Sequence, residues 1–184
     1  MIFCTTGTQV AFDRLIKIVD EIAADLDEEV VAQANRGKYV PKNIRYVRFL
    51  PPKEFNELFS KARLIIAHAG MGTILSAMLQ DKPIIIFPRL AALKEHRNDH
   101  QLATAMKMKE LKYVHVANNE AELRELLMSD ELKPLHHIEK YANQSFVGEI
   151  CKIIEPTHSE KKSLLKIPSK LHLPLIHLRK KKKN

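Results

Sequence analysis

The chain has 184 residues, 45% apolar and 28% charged, enough for one α/β domain with its own core and too few for two. Its formal charge is +8, but nine of the 30 basic residues and only one of the 22 acidic ones lie in 156–184, which leaves 21 of each sign in 1–155. A neutral folded part gives no support to a basic RNA-binding face on the domain, so no nucleic-acid partner is expected. No apolar run approaches the roughly 18 to 20 residues of a membrane-spanning helix, and the N-terminus lacks the basic n-region of a signal peptide. Cys4 and Cys151 make no disulfide framework and read as small core hydrophobes. A cytoplasmic protein fits these features.

In chain order, 2–6 is a short apolar, β-branched run that ends at Gly7, which predicts a buried strand entering a tight turn. Phe12, Leu15, Ile16, Val19, Ile22, Ala23 and Leu26 then recur at helical spacing, with Asp13, Arg14, Lys17, Asp20 and Glu21 on the opposite face. Strands are predicted at 30–33 and 44–50, the second closed by Pro51-Pro52, followed by a short helix through Phe55, Leu58 and Phe59. The run 64–67 reads as a strand, 74–80 as an apolar helix and 83–87 as another strand. A helix over about 98–109, a strand at 113–116 and helices over 120–128 and 137–154 complete the reading. Strands without polar alternation, separated by helices, indicate a mostly parallel sheet covered on both faces, a single Rossmann-like α/β domain. In such sheets the ligand binds outside the carboxyl ends of the strands.

The expected organisation is a domain over 1–155 and an appended segment over 156–184. In the latter, Pro156, Pro168 and Pro174 break any long helix, and the chain ends in Arg179-Lys180-Lys181-Lys182-Lys183-Asn184. One reading is a solvated, disordered extension; the other is attraction to anionic lipid head groups, worth about 1 kcal/mol per basic residue near the surface.

Three segments carry the chemistry. In 64–75 a buried strand runs into His68-Ala69-Gly70-Met71-Gly72-Thr73, a two-glycine turn at the start of a helix. Such a turn gathers backbone N–H groups and a helix N-terminus, which suits a diphosphate. Gly70 and Gly72 would permit close backbone approach, and Thr73 would cap the helix or donate to a phosphate oxygen. A tight packing turn with no ligand is the alternative. Every residue of Lys94-Glu95-His96-Arg97-Asn98-Asp99-His100-Gln101 is charged, imidazole or amide and able to bind sugar hydroxyls. His96 and His100 are four apart, but Glu95 precedes both, so the zinc order His-Glu-x-x-His is absent and no metal is expected. Thr5-Thr6-Gly7-Thr8-Gln9 offers hydroxyls and a glycine from the far side of the crevice, or simply a helix cap at Thr8.

In order and spacing, four stretches resemble the C-terminal, donor-binding domain of glycosyltransferase family 28. They are Thr6-Gly7-Thr8-Gln9 with Phe12-Asp13, His68-Ala69-Gly70-Met71-Gly72-Thr73, Pro83-Ile84-Ile85-Ile86-Phe87-Pro88, and Asn98-Asp99-His100-Gln101 followed by Ala103. The resemblance covers residues 1–155. Within the family it is similar to small polysaccharide-biosynthesis subunits, the donor subunits of two-subunit UDP-sugar transferases.

The resemblance implies the C-terminal half of a GT-B enzyme and inverting transfer of a hexose-type sugar from a UDP-sugar, with no cofactor or essential metal. It implies that the turn from His68 through Ala69, Gly70, Met71 and Gly72 to Thr73 holds the diphosphate. His100 and Gln101 would meet the donor sugar's hydroxyls with Asp99 nearby, and Gly7 and Thr8 would face the phosphate or sugar. Where relatives carry a Glu for the ribose hydroxyls, this chain has Ser76, so ribose recognition is weaker or lies elsewhere. The family's general base is on the acceptor side, so no complete catalytic set is expected in this chain. His68 is the one imidazole placed to act near the reacting phosphate, or else a structural histidine. Arg89 or Arg97 could favour a sugar carboxylate. The missing half would be a membrane-associated acceptor-domain subunit that presents a lipid-linked or polysaccharide-precursor acceptor and holds the complex at the inner face of the membrane. A non-catalytic, nucleotide-sugar-binding or regulatory subunit is the alternative. A nicotinamide oxidoreductase is disfavoured by the missing third glycine.

Deleting residues 156–184 separates the two readings of the basic segment. Weaker sedimentation with anionic vesicles at low salt is the outcome expected of lipid attraction, and unchanged sedimentation that of a plain extension.

Overall fold

A computed structural model describes residues 1–8, 10–35, 37–129, 132–138 and 150. Gln9, Cys151, nearly all of the helix expected over 137–154 and all of 156–184 lie outside these residues. The elements in chain order are β1 (Ile2–Thr5), α1 (Asp13–Ala23), β2 (Val30–Gln33), β3 (Arg45–Val47), α2 (Pro52–Lys61), β4 (Leu64–Ala67), α3 (Met71–Leu79), β5 (Ile84–Ile86), a 3-10 turn at Ala91–Leu93, α4 (His100–Glu110), β6 (His115–Val116) and α5 (Glu120–Leu127).

The six strands form one sheet in the order β3-β2-β1-β4-β5-β6, and every pairing is parallel. β1, β2, β4 and β5 are buried along their whole length, as strands covered on both faces must be. Alternate residues feed two cores. Ile2, Cys4, Ala32, Leu64, Ile66 and Ile85 pack with Leu15, Val19 and Ile22 of α1 and Leu123 and Leu127 of α5. On the other face Phe3, Val31, Ile65, Ile84 and Ile86 pack with Phe59 of α2, Ile74 and Met78 of α3, and Ala105 and Met108 of α4. Cys4 lies fully buried in the first core, and burial pushes its thiol up to about 12, which makes it an inert apolar filler.

Helical spacing puts Asp20 on the solvent face of α1, but the structure buries it to 1% exposure. Its carboxylate accepts the Asn43 N–H at 2.7 Å, the Lys42 N–H at 2.9 Å and the Tyr39 hydroxyl at 2.8 Å. Asp13, one face-repeat earlier, accepts the Lys38 N–H at 3.0 Å. These two carboxylates strap the segment that leads into β3 across a helix face otherwise open to water. Burial works against the Asp20 charge, but the Asn43 and Lys42 amides and the Tyr39 hydroxyl outweigh it and hold the carboxyl below its ordinary value.

Asp20→Asn should therefore cost about 2 kcal/mol of stability, the net worth of hydrogen bonds to a charged acceptor. The native carboxylate binds its proton less readily than the unfolded one, so its contribution is present at neutral pH and fades as pH falls through the carboxylate range. Urea unfolding at pH 7 and pH 3.5 checks this, with the gap between wild type and variant narrowing in acid.

Candidate functional site

β1 and β4 are hydrogen-bonded neighbours with Thr5 beside Ala67, so the chain leaves both strands at the same edge of the sheet. From there α1 passes to one face and α3 to the other. The divergence opens a cleft of about 460 Å³, lined by Thr6, Gly7, Thr8, Val10, His68, Gly72, Arg89, His96 and Gln101. It lies where the strand order reverses, the place at which open parallel sheets bind ligands.

His68 sits at the cleft floor, and two glycines make room for it. A Cβ on Gly7 would stand 2.8 Å from the imidazole Cε1, and one on Gly70 would collide with Nε2. Gly7 also has φ of +73°, which side chains with a Cβ rarely adopt. Gly72 is different: a Cβ there meets nothing and points into open space. Burial is the main reason the His68 pKa falls, to about 4. The Arg89 guanidinium and His96 lower it further, while the Thr5 backbone pulls the other way. The ring is therefore neutral at pH 7.

α3 begins at Met71, three residues earlier than the apolar spacing suggests, with Gly70 as N-cap. Thr73 is consequently inside the helix. It does not cap with its side chain, and its N–H already donates to Gly70 O at 3.1 Å. The Gly70 N–H donates to His68 O at 2.7 Å, whereas the Met71 and Gly72 amides find no acceptor among the described residues. Thr8 does not cap α1 either, since Phe12 holds the N-cap position without a side-chain bond.

The third wall follows β5. Arg89 is 2% exposed, and its terminal nitrogens donate to Thr6 O and Val10 O at 2.7 Å, Ala11 O at 2.9 Å and, at a longer 3.4 Å, Glu95 O. Its guanidinium carbon lies 4.7 Å from the centre of the Phe12 ring. The terminal N–H groups that would read a sugar carboxylate are thus already committed to backbone carbonyls, which corrects that expectation for Arg89. Glu95 accepts Arg14 Nε at 2.7 Å, Arg14 Nη2 at 2.8 Å and the Leu90 N–H at 3.0 Å. His96 Nδ1 lies 3.1 Å from both the backbone oxygen and Oδ1 of Asn98. A carbonyl only accepts, so Nδ1 carries a proton and donates to Asn98.

Among the described residues, three buried side-chain polar atoms have no hydrogen-bond partner: Thr6 Oγ1, His68 Nδ1 and Arg89 Nε. All three residues line this cleft. These three atoms are themselves closed off from solvent, so an occupant of the cleft would meet the open groups around them rather than the atoms themselves.

Of the residues singled out from sequence, Gly7, Thr8, His68, Gly72 and Gln101 line the cleft together. Gln101 Oε1 accepts the Arg89 N–H over a long 3.4 Å, which leaves its amide NH₂ as the remaining donor. Ala69 is buried, and Met71 packs against the core beneath α3. Gly70 acts through His68. The Ser76 hydroxyl donates back to Gly72 O at 2.8 Å. Asp99 shapes the loop by accepting the Ala91 N–H at 2.9 Å, and the His100 N–H donates to Asn98 Oδ1 at 3.3 Å. His100 opens α4 and does not line the cleft beside His96. Among the described residues, no group of three His, Cys, Asp or Glu could hold a metal ion. Val10 is the lining residue to which motif reasoning assigns no role, while Arg89 and His96 are expected at the sugar and Thr6 in the first-strand turn. Arg89 had a signal, as the lone basic residue in the apolar run 83–93, while Val10 had none.

Gly70→Ala should destabilise the protein by about 1–3 kcal/mol through overpacking against His68, and His68→Ala should recover most of that loss in the double variant, a coupling read from urea midpoints. The unfolded chain protonates this histidine near 6.5 and the folded one only near 4. Stability should thus be complete above pH 6.5 and decline toward pH 4, with His68→Asn flattening that decline.

The chain matches the glycosyltransferase family 28 C-terminal domain over residues 1–154. No curated protein matches it significantly. The NMR solution structure of ALG13 is similar with a TM-score of 0.53 at 20% identity, covering 81% of this chain and 93% of that one. The crystal structure of the kitacinnamycin glycotransferase is similar with a TM-score of 0.51 at 20% identity, covering 70% of this chain but 35% of that one. At such identities these likenesses speak to the fold, which is that of the C-terminal half of a GT-B glycosyltransferase. Together with the reversal of strand order and the glycine turns at β1 and β4, the match across residues 1–154 shows that the chain belongs to the glycosyltransferase family 28 C-terminal domain family.

Proposed function

We propose that this glycosyltransferase domain is the donor-binding catalytic subunit of an inverting UDP-sugar transferase. It would pass a hexose-type sugar to a lipid-linked or polysaccharide-precursor acceptor presented by a membrane-associated partner subunit. The observation that carries this is the cleft at the strand-order reversal, where the α3 N-terminus ends in open space over Gly72. The unpaired Met71 and Gly72 amides at the start of α3 suit a diphosphate, helped by the positive end of the helix dipole. The Gln101 amide, the His96 imidazole and the Thr8 hydroxyl, all lining the cleft, suit sugar hydroxyls.

In the transfer, an acceptor hydroxyl attacks the anomeric carbon from the face opposite UDP. The new C–O bond forms as the bond to the β-phosphate oxygen breaks, and the proton goes to a base on the partner. This chain would stabilise the negative charge that grows on the departing UDP through fixed N–H groups. Neutral His68 adds no cation, so it serves as packing and as a hydrogen-bonding group. The reading assigns no metal and no cofactor, since the UDP-sugar enters as substrate. Among the described residues no helix is long and apolar enough to cross a membrane, and the proposal places membrane contact in the partner.

A second reading, a non-catalytic nucleotide-sugar-binding or regulatory subunit, is favoured by Ser76. Its hydroxyl is turned into the helix backbone and offers no carboxylate to a ribose.

Calorimetric titration of the chain with UDP should give saturable binding, abolished by Gly72→Trp, which fills the open space above α3, and weakened several-fold by Gln101→Ala. No binding by the wild-type chain, alone or with its acceptor partner, would refute the donor-site reading. Sugar transfer by the partner complex that survives Gly72→Trp would favour the non-catalytic reading.

A further inference from the structure

We infer that Arg89 is a positioning residue that builds the first-strand wall of the cleft, holding the loop after β1 in the shape a donor needs. The inference rests on the donor-site reading and deepens it. Its basis is how little else holds that loop. The Thr6 N–H donates to Gln33 O at 3.1 Å, Asn35 Nδ2 donates to Thr8 O at 3.0 Å, and the Gly7 N–H reaches Thr5 Oγ1 only at 3.4 Å. Beyond Thr6 no described residue of the loop donates a backbone–backbone hydrogen bond before α1 begins.

The loop's carbonyls instead converge. Thr6 O, Val10 O and Ala11 O all point at one guanidinium, within 2.7 to 2.9 Å of its terminal nitrogens. Three carbonyl dipoles aimed at one spot repel one another, and only a cation with several donors in a fixed plane holds them there. Lysine brings the charge but not the planar fork. The guanidinium lies over Phe12, which fixes its plane from the α1 side. A fourth bond to Glu95 O ties the same group to the opposite loop. Arg14 repeats the tie from α1, reaching Pro88 O at 2.9 Å and the Glu95 carboxylate. The walls contributed by β1 and β5 are therefore joined through one buried cation, and Gly7 and Thr8 face the cleft because of it.

The experiment compares wild type, Arg89→Met and Arg89→Lys with Asp20→Asn, which weakens the fold away from the cleft. Backbone ¹⁵N order parameters of Gly7, Thr8, Val10 and Ala11 are measured on the free protein, and UDP affinity by titration. In both Arg89 variants these residues should drop from about 0.85 to below about 0.6, while β4 and β5 stay rigid, and the dissociation constant for UDP should rise at least tenfold. Asp20→Asn, which lowers stability away from the cleft, should leave loop order and UDP affinity at wild-type values. Unchanged loop order in the Arg89 variants would overturn the inference, and so would a disordered loop that leaves UDP affinity within twofold of wild type. If Arg89→Met does not fold, Arg89→Lys, which keeps the charge and the stem, carries the comparison. Failure of wild type to bind UDP would count against the donor site, while loop order would still judge the clamp.

Discussion

The structure depends on the double pairing of β1. Its first partner, β2, lies on one side and β4 on the other, so the chain must return across the sheet between β3 and β4. With every strand parallel, all carboxyl ends share one edge, and the connections on the two sides of β1 leave for opposite faces. A crevice between β1 and β4 is then unavoidable. Whatever fills its walls decides what the domain does.

Those walls are polar and hold one cation in excess, covered by carbonyls. Two arginines and one glutamate are drawn into the space between the first and third loops, where Arg14 and Glu95 pair with matched geometry and Arg89 is covered by carbonyls. Burial lowers the Arg89 pKa while Glu95 raises it. Breaking one member of such a buried set leaves another charge without a partner, a more severe change than losing one contact. The adjacent imidazole of His68 stays uncharged because it is buried beside that guanidinium. The site thus presents oriented dipoles and amides to a ligand, which suits binding of a diphosphate and hydroxyls without strong reorganisation.

Much of this was legible in the sequence. The strand bounds agree within a residue or two because runs such as Leu64-Ile65-Ile66-Ala67 carry no polar alternation, except that the strand expected over 44–50 stops at Val47. The glycine turns flag the two strand ends that form the crevice. Misreadings arose where a residue's partner is remote in sequence. Asp20 looks solvent-facing on its own helix, and only the segment returning toward β3 shows that it is buried. Arg89 reads as a ligand contact from sequence, but the carbonyls of Thr6, Val10 and Ala11 converge on it. Gly70 was credited with phosphate approach, yet its nearest obligation is the His68 ring. Helical periodicity places the start of α3 at Ile74, where the apolar run begins, because Met71 is isolated from it by Gly72 and Thr73.

The central claim is that a nucleoside diphosphate occupies the cleft between β1 and β4. Amide chemical-shift mapping during titration of the full chain with UDP tests it most directly. The account predicts shifts concentrated at Gly7, Thr8, Gly72 and Gln101 and at the start of α3. Shifts concentrated instead in the groove at the opposite edge of the sheet, around Asp25, Glu28 and Met128, or no shifts at saturating UDP, would contradict it.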